Sequence, residues 1–222
     1  MGGTRTAANI DPGWIDYPAA IEFRRGLSRD VAIVNDADAA GVAEMLFGAG
    51  RGRLGTVIVL TLGTGVGSAI FVDGVLVPNT ELGHMEIRGR DAERRSAANA
   101  RIRRGLSWKA WAGDLDEHLI AIDRLFSPNV FILGGGVSKN PDKFVPFLTV
   151  RVPVVPAQLR NDAGIVGAAL FAAQRLGPPA TEPLAPASDP SEIAADAAET
   201  AVQPGDTVPE PAEPTAKPAG TA

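Results

Sequence analysis

The sequence predicts a mixed α/β domain, in which short buried strands alternate with helices around one sheet. The strongest strand pattern is Thr56–Leu62, an apolar run that is rich in β-branched residues. Two further apolar runs, residues 68–72 and Val75–Val77, are joined by Asp73-Gly74, a two-residue hairpin signal. These three runs predict an antiparallel meander at the centre of the domain.

Two helices and a strand are predicted before the meander. Apolar periodicity indicates a short amphipathic helix around Ala19–Leu27, and residues 31–34 resemble a short buried strand. An Ala-rich helix over residues 37–46 follows, with glycines as stop signals. Either Asn35 or Asp36, at the end of the predicted strand, can cap this helix.

The second half of the chain is predicted to alternate helices with strands. Residues 79–86 are a polar loop, and the charged stretch at residues 88–109 is typical of a solvated helical face. Pro153 favours an edge position for the last strand, because proline cannot donate to a sheet ladder. The predicted elements are a helix over residues 116–126, a strand over 130–133, a helix over 140–148, an edge strand over 152–155 and a helix over 164–176.

The composition changes sharply near Gly177. The chain has 222 residues, 45% of them hydrophobic, and a formal net charge of −5. Residues 177–222 contain no aromatic residue, are rich in Pro and Ala, and carry eight acidic residues against one Lys. We expect this tail to be disordered, because it cannot bury enough apolar surface to offset its ordering entropy. Subtracting the tail's −7 from −5 leaves +2 for residues 1–176, a balance that suits an anionic substrate.

Some functional classes are excluded or disfavoured by composition. The chain has no Cys, so it has neither a disulfide framework nor a thiolate metal site. It shows no apolar run of membrane-spanning length and no signal-peptide pattern at its N-terminus. A soluble cytoplasmic protein that does not bind membranes is therefore the expectation.

The glycine-rich turn after the first strand of the meander is the leading candidate for a binding element. Gly63, Thr64, Gly65 and Gly67 join strand to strand, whereas a P-loop or a dinucleotide fingerprint needs a helix directly after its glycines. Left-handed backbone at such glycines can direct successive N–H groups towards an anion. The alternative is a turn in which glycine serves backbone geometry alone.

Asp36 is the leading candidate for acid–base chemistry. A carboxylate at a strand end beside an anion-binding turn suits phosphoryl transfer to a hydroxyl, with the acid taking the proton from the attacking oxygen. Gly134, Gly135 and Gly136 end another strand and can complete the same cleft, because ligands of open α/β sheets bind at strand ends. The alternative for Asp36 is a simple helix cap.

Four segments resemble the bacterial family of repressors, open reading frames and sugar kinases, the ROK family. They are RTAANID at residues 5–11, VNDADAAG at 34–41, LTLGTGVGSAIFVDGVLVPNTELGH at 60–84 and FILGGGVS at 131–138. The likeness covers roughly residues 5–173, and within the family the actinobacterial polyphosphate glucokinases are the most similar branch. It implies an actin/hexokinase-like (ribonuclease H-like) ATPase lobe with a mixed sheet.

The resemblance also implies a function. This would be transfer of a phosphoryl group from inorganic polyphosphate or ATP, with Mg²⁺, to the 6-hydroxyl of glucose. Asp36 would be the general base, and Asn35, Glu81 and His84 would contact the sugar. The glycine turn and Gly134 to Gly136 would bind the phosphoryl donor. By residue type alone, His84 is more typical of a structural histidine and Glu81 of a surface acid.

Two departures from the family pattern affect these expectations. The family has a further sugar-binding glutamate after these residues. An ungapped comparison places it at position 94, which is Arg94 in this chain, with Glu93 beside it. Either the register shifts by one residue or the contact is lost. The family also begins with a small lobe that carries an Asp-x-Gly-Gly phosphate loop. Here residues 1–34 resemble a remnant of that lobe, and residues 35–176 the large lobe. We therefore expect this chain to be weak or inactive, as a start-site error or a degraded gene product would be.

The remaining expectations concern partners and alternatives. Relatives are commonly dimers, so a homodimer is expected, and the lack of Cys argues against the zinc that many relatives hold. A polyphosphate donor needs a track of positive charge, for which residues 94–109, Lys139 and Lys143 are candidates. The main alternative is a non-catalytic sugar sensor, although no basic recognition helix for nucleic acid is visible. A dinucleotide-binding module is disfavoured because the GxGxxG spacing is missing.

Overall fold

A computed structural model of the chain describes residues 11–177. Residues 1–10, together with the predicted acidic tail beyond Gly177, lie outside the described residues. In the described part the helices are α1 (Ala19–Leu27), α2 (Asp36–Phe47), α3 (Glu93–Ser96), α4 (Ala98–Arg103), α5 (Trp108–Phe126) and α6 (Ala163–Leu176). The strands are β1 (Thr56–Leu62), β2 (Val66–Val72), β3 (Val75–Val77), β4 (Glu86–Ile87), β5 (Arg90–Asp91), β6 (Val130–Gly135) and β7 (Val154–Pro156).

The five longer strands form one mixed sheet in the order β3-β2-β1-β6-β7. Strands β1, β2 and β3 pair antiparallel, which confirms the predicted meander. Strand β6 pairs parallel with β1, and β7 pairs parallel with β6 at the far edge of the sheet. The mixed α/β class and the edge position of the last strand are therefore as predicted.

Helices cover both faces of the sheet, because alternate residues of β1 point to opposite sides. Ile58, Leu60 and Leu62 share one buried cluster with residues of α5, including the fully buried Trp111. Val57 and Val59 share the other cluster with residues of α2, β2 and β6. The result is a three-layer sandwich, which suits an all-buried strand such as β1.

Helices α2 and α6 pack against each other very closely on their face of the sheet. A Cβ atom at Gly167 would overlap the backbone of Ala39, so only glycine allows this approach. On the sheet side, Gly41 lies against the ring of Phe71 and the methyl group of Ala69. Small residues therefore fix the position of α2 and, with it, the position of Asp36 at the start of the helix.

Two predicted elements are wrong. Residues 31–34 are extended but form no strand, because no described strand lies beside them to accept and donate ladder hydrogen bonds. They are half-buried or exposed instead, and they line a cavity of about 390 Å³ next to Phe171. The predicted helix at residues 140–148 is a series of 3-10 turns, since Pro146 removes a backbone donor where an α-helix would need one.

Other elements differ in extent rather than in type. Helix α5 begins eight residues before the predicted start, at Trp108, where the side chain of Ser107 caps it. The charged stretch at residues 88–109 is not one solvated face but strand β5, two short helices and the start of α5. No helix within residues 11–177 has both the length and the apolar character needed to span a membrane.

Candidate active site at one edge of the sheet

The two glycine segments lie at the same edge of the sheet, as predicted. Strands β1 and β6 are parallel neighbours, and the last residue of β1, Leu62, is in register with Gly135. The turn at residues 63–65 and the segment after Gly135 therefore leave the sheet side by side. Carboxyl ends of parallel strands are a common place for ligands in α/β proteins.

Gly65 and Gly67 are required for space rather than for left-handed backbone, whereas a Cβ at Gly63 would meet no atom within 4 Å. None of Gly63, Gly65 and Gly67 has a positive φ, so the predicted left-handed nest is wrong. A Cβ at Gly65 would overlap the carboxylate of Glu93, and one at Gly67, which lies within β2, would lie 2.8 Å from the Cβ of Ala37. A side chain at Gly65 would therefore displace Glu93, and one at Gly67 would displace Ala37 at the start of helix α2.

Gly135 is different, because it needs both conformational freedom and space. Its φ is 79°, and a side chain there would overlap the backbone of Leu62 on the neighbouring strand. The hydroxyl of Ser138 donates to the Gly135 carbonyl at 2.8 Å and holds the segment as it leaves the sheet.

Two backbone donors of the first turn are available to a ligand. The Gly63 N–H donates to the Gly65 carbonyl, and the Val66 N–H donates to Glu93 at 3.0 Å. Between them, the N–H groups of Thr64 and Gly65 have no acceptor within residues 11–177. The exposed Thr64 therefore offers a hydroxyl and a backbone donor next to a second unsatisfied donor, which suits an anion.

Helix α2 begins at this edge of the sheet with the predicted Asn35–Asp36 pair. Asn35 is the N-cap, and its side-chain oxygen accepts from the N–H groups of Ala37 and Asp38. Asp36 is exposed and accepts from Ala37 at 2.8 Å, so its second carboxylate oxygen remains open. Asn35 donates its amide to Glu81 at 3.4 Å, which brings two of the predicted sugar contacts together.

Asp38 was not among the predicted site residues, yet it ties the helix to the loop that carries Glu81. Its carboxylate accepts from the Asn79 N–H at 2.8 Å, and its other oxygen is buried without a partner in the described part of the chain. Burial raises the pKa of Asp38; the Asn79 N–H opposes this shift, and the charges of Glu81 and Asp36 add to it. The sequence offered one signal, the position of Asp38 directly after the Asn35–Asp36 pair.

Residues 80–84 are fixed from two further sides. The Ser68 hydroxyl donates to the Thr80 carbonyl at 2.7 Å and accepts from the Leu82 N–H at 2.9 Å. Behind the loop, the buried His118 of α5 contacts the Leu82 carbonyl through Nε2 at 3.0 Å. Since a carbonyl can only accept, Nε2 carries the proton; Nδ1 lies 2.9 Å from the Ser96 hydroxyl oxygen, whose proton also has the Ala92 carbonyl as an acceptor. Burial lowers the pKa of His118, which keeps this imidazole neutral.

Glu93 and His84 reach the site from α3 and from the loop. Glu93, not Arg94, faces the glycine turn, which agrees with a one-residue shift from the ungapped comparison. His84 is exposed, and its Nδ1 atom lies 3.5 Å from the carboxylate of Asp91. In the structure, Asn35 therefore lies beside Glu81, and Glu93 lies beside the glycine turn.

One side-chain cluster could hold a metal ion. Ligand atoms of His84, Asp91 and Glu93 all lie within 4.8 Å of one another. A mixed imidazole and carboxylate set suits zinc-like ions better than Mg²⁺, which prefers oxygen ligands and usually binds through one or two carboxylates and substrate phosphates. Asp91 and Glu93, which line the same cavity as Thr64, could supply such carboxylates for Mg²⁺.

The chain belongs to the ROK family. The model of that family matches residues 3–101. The crystal structure of an inorganic polyphosphate/ATP-glucomannokinase from Arthrobacter sp. strain KM is 51% identical with a TM-score of 0.75, over 78% of this chain and 68% of that one. This match and the actin-like fold of the structural relatives confirm the predicted family and fold class.

Two other relatives point in the same direction. A polyphosphate glucokinase of Mycobacterium tuberculosis is 48% identical over 170 residues, which are 76% of this chain and 64% of that protein. This chain thus spans less than two thirds of the length of that relative. A ROK family glucokinase from Streptomyces griseus, in complex with glucose and AMPPNP, is 26% identical with a TM-score of 0.67, over 78% of this chain and 77% of that one.

Proposed function

We propose that this chain binds glucose and transfers a phosphoryl group to its 6-hydroxyl from inorganic polyphosphate or ATP. The observation that carries the proposal is the contact between helix α2 and strand β2. Ala37, the residue after Asp36, lies against Gly67, two residues beyond the turn. The Thr64 and Gly65 N–H groups of that turn have no acceptor in the part of the chain that the structure describes. The Asp36 carboxylate thus lies at the same edge of the sheet as two backbone N–H groups that could bind a phosphate group.

In this proposal Asp36 is the general base. One of its oxygens accepts from Ala37, which fixes the carboxylate, and the open oxygen takes the proton as the sugar hydroxyl attacks phosphorus. The exposure of Asp36 leaves room for a sugar to lie against it. Asn35, Glu81, His84 and Glu93 would hold the sugar hydroxyls, and the hydrogen bond between Asn35 and Glu81 would orient two of these side chains beforehand.

The donor would lie along the glycine segments. The Thr64 and Gly65 N–H groups would hold the transferred phosphoryl group. Gly134 to Gly136, at the end of the neighbouring parallel strand β6, carry no side chains and would leave space there for the rest of a nucleotide donor. Asp91, which lines the same cavity as Thr64, is the carboxylate that could hold a donor-bound Mg²⁺. When bound, Mg²⁺ would neutralise charge on the transferred phosphate.

The test compares Asp36→Asn with the unchanged chain, and measures glucose binding by calorimetry and glucose 6-phosphate formation with each donor. We expect glucose binding to be kept and transfer to fall about 10²–10⁴-fold, the usual contribution of a general base. Asp142→Asn, at an exposed acid, is the matched control and should transfer phosphate normally.

The alternative, a non-catalytic sugar sensor, predicts another pattern. It requires glucose binding without transfer in the unchanged chain, and binding that does not change in Asp36→Asn. Equal transfer by Asp36→Asn and by the Asp142→Asn control would refute the role of Asp36. The predicted homodimer can be measured in the same preparations by sedimentation.

A further inference from the structure

A groove lined by arginines starts at the glycine turn and follows strand β5 and helices α3 and α4. It has a volume of about 610 Å³, and Thr64 of the glycine turn is one of the residues that line it. The first residues of α4 are fastened to the turn, because Asn99 donates its N–H to the Gly63 carbonyl at 3.0 Å. The lining residues are Thr64, Arg90, Asp91, Glu93, Arg94, Arg95, Asn99, Arg103 and Arg104.

Two of the five arginines are neutralised by the protein itself. Arg95 pairs with Asp114 and also with Glu117, the latter at 2.9 Å. Arg104 pairs with the other oxygen of Asp114 at 2.6 Å. These pairs fasten α3 and α4 to helix α5, so their guanidinium groups are committed to holding the wall of the groove in place.

The other three arginines have no carboxylate partner within residues 11–177. Arg90 and Arg94 are exposed and make no described ion pair, and Arg103 donates only to the Arg94 carbonyl, at 3.3 Å. Three uncommitted guanidinium groups along one open groove are an arrangement that recognises phosphate oxygens, since each planar fork can donate two parallel hydrogen bonds.

The acids of the groove do not cancel this charge. Glu93 accepts from the Val66 N–H, and Asp91 lies 3.5 Å from Nδ1 of His84, so each of these two acids already has a partner other than an arginine. None of the lining residues is aromatic, so a nucleobase would have no ring to stack on. The groove therefore fits a chain of phosphates without bases.

We propose that this groove binds the distal phosphates of an inorganic polyphosphate chain whose end lies at Thr64. The proposal rests on the proposed function, because that function places the transferred phosphoryl group at the glycine turn. Only part of the positively charged track that the sequence predicted lines the groove. Arg101 and Lys143 lie against the ring of Trp108, and Lys109 lies against Phe147, so these three cations are not part of it.

The experiment measures binding of fluorescently labelled inorganic polyphosphate to the whole chain by anisotropy, without glucose. The test variant is the double charge reversal Arg94→Glu/Arg103→Glu. The control is Arg25→Glu/Arg29→Glu, two exposed arginines outside the groove that change the net charge by the same amount. We expect the test variant to weaken binding about tenfold or more and to reduce the salt dependence, while the control changes little.

Several outcomes would overturn the proposal. They are no polyphosphate binding by the unchanged chain, equal weakening in test and control variants, and single-stranded oligonucleotides that bind as tightly as polyphosphate. Circular dichroism of both variants, together with the milder Arg94→Gln/Arg103→Gln, separates loss of the groove from loss of folding.

The proposed function fails separately from the groove. If the chain binds polyphosphate through these arginines but forms no glucose 6-phosphate, the groove proposal is supported and the proposed kinase function is refuted. If the chain transfers phosphate from polyphosphate and the apparent KM does not change in Arg94→Glu/Arg103→Glu, the kinase function is supported and the groove proposal is refuted. In an active chain the groove variant should raise the apparent KM for long polyphosphate more than that for ATP.

Discussion

At the scale of single residues, the buried carboxylate of Asp38 is the most informative side chain near the site. It holds Asn79, whose φ of 60° is unusual for a residue with a side chain, and through that loop it sets the position of Glu81. One of its oxygens lacks a partner among the described residues, so the ionised form is costly. The Asp38 carboxylate therefore acts on Glu81 through Asn79, and only the backbone N–H of Asp38 contacts Asn35.

This burial has a consequence for stability as a function of pH. The folded-state pKa of Asp38 is raised above its ordinary value of 3.8, so the folded protein holds this proton more tightly than the unfolded chain. The stability that this group contributes is full below about pH 3.8 and is lost as the pH rises through the folded-state pKa. In Asp38→Asn, which cannot titrate, that part of the pH dependence should be absent.

Urea unfolding of the wild type and Asp38→Asn from pH 4 upwards checks this prediction. The free energy of unfolding of the wild type should fall relative to that of the variant as the pH rises. Asp142→Asn, at an exposed acid, is expected to keep the wild-type dependence. Parallel curves for the wild type and Asp38→Asn would contradict the burial argument.

At the scale of elements, helix α5 supports the loop of residues 80–84 through one imidazole. His118 donates to the Leu82 carbonyl and contacts the Ser96 hydroxyl of α3, so it joins α5 to two segments, the loop that carries Glu81 and His84 and the helix that carries Glu93. Because burial lowers its pKa below the ordinary value of 6.5, the stability it contributes is present above pH 6.5 and is lost as the pH falls towards the folded-state pKa.

We expect His118→Gln to remove this loss, since the amide can still donate to the Leu82 carbonyl but cannot titrate. The effect of His118 has the opposite sign to that of Asp38, so the double variant should have a flatter stability profile than either single variant. The chain has two histidines, so proton NMR can follow both imidazoles directly. A His118 ring that titrates at or above its ordinary pKa would overturn this account.

At the scale of the whole molecule, two buried acids join segments that are far apart in the sequence. Glu44 of α2 accepts from the N–H groups of Ala49, Gln158 and Leu159, and so holds the chain after β7 against the helix. On the opposite face of the sheet, Asp116 of α5 accepts from Thr149 and Val150. Each helix layer is thus fastened to the second half of the chain by a carboxylate.

Glu44→Ala should lower the free energy of unfolding by about 2–4 kcal/mol, because three backbone donors lose their acceptor together. Glu44→Gln should cost less, since its amide oxygen can replace one carboxylate oxygen. Denaturant unfolding measures both, with Glu22→Ala on the exposed helix α1 as the control. Equal stability of Glu44→Ala and this control would show that water replaces the lost acceptor.

The elements that were predicted correctly from the sequence are those whose signals are local in the chain. Strand β1, the meander and helix α2 were predicted because apolar runs, Asp73-Gly74 and a capping residue act within a few residues. Residues 31–34 were predicted wrongly, because a strand exists only where another strand pairs with it. The left-handed conformation predicted for the first glycine turn was also wrong: Gly65 and Gly67 make room for Glu93 and Ala37, neighbours that no local pattern reveals.

The sequence by itself determined the α/β class, the family, and the motifs that place Asp36, Glu81, His84 and the glycine segments in order along the chain. Only the tertiary structure decided that Glu93 faces the turn and that Asp38 and His118 hold the loop. It also decided that Arg90, Arg94 and Arg103 have no carboxylate partner among residues 11–177. The physical reason is that periodicity and turn chemistry depend on neighbours in the chain. Ion pairing, burial and the space beside a glycine depend on neighbours brought together by folding.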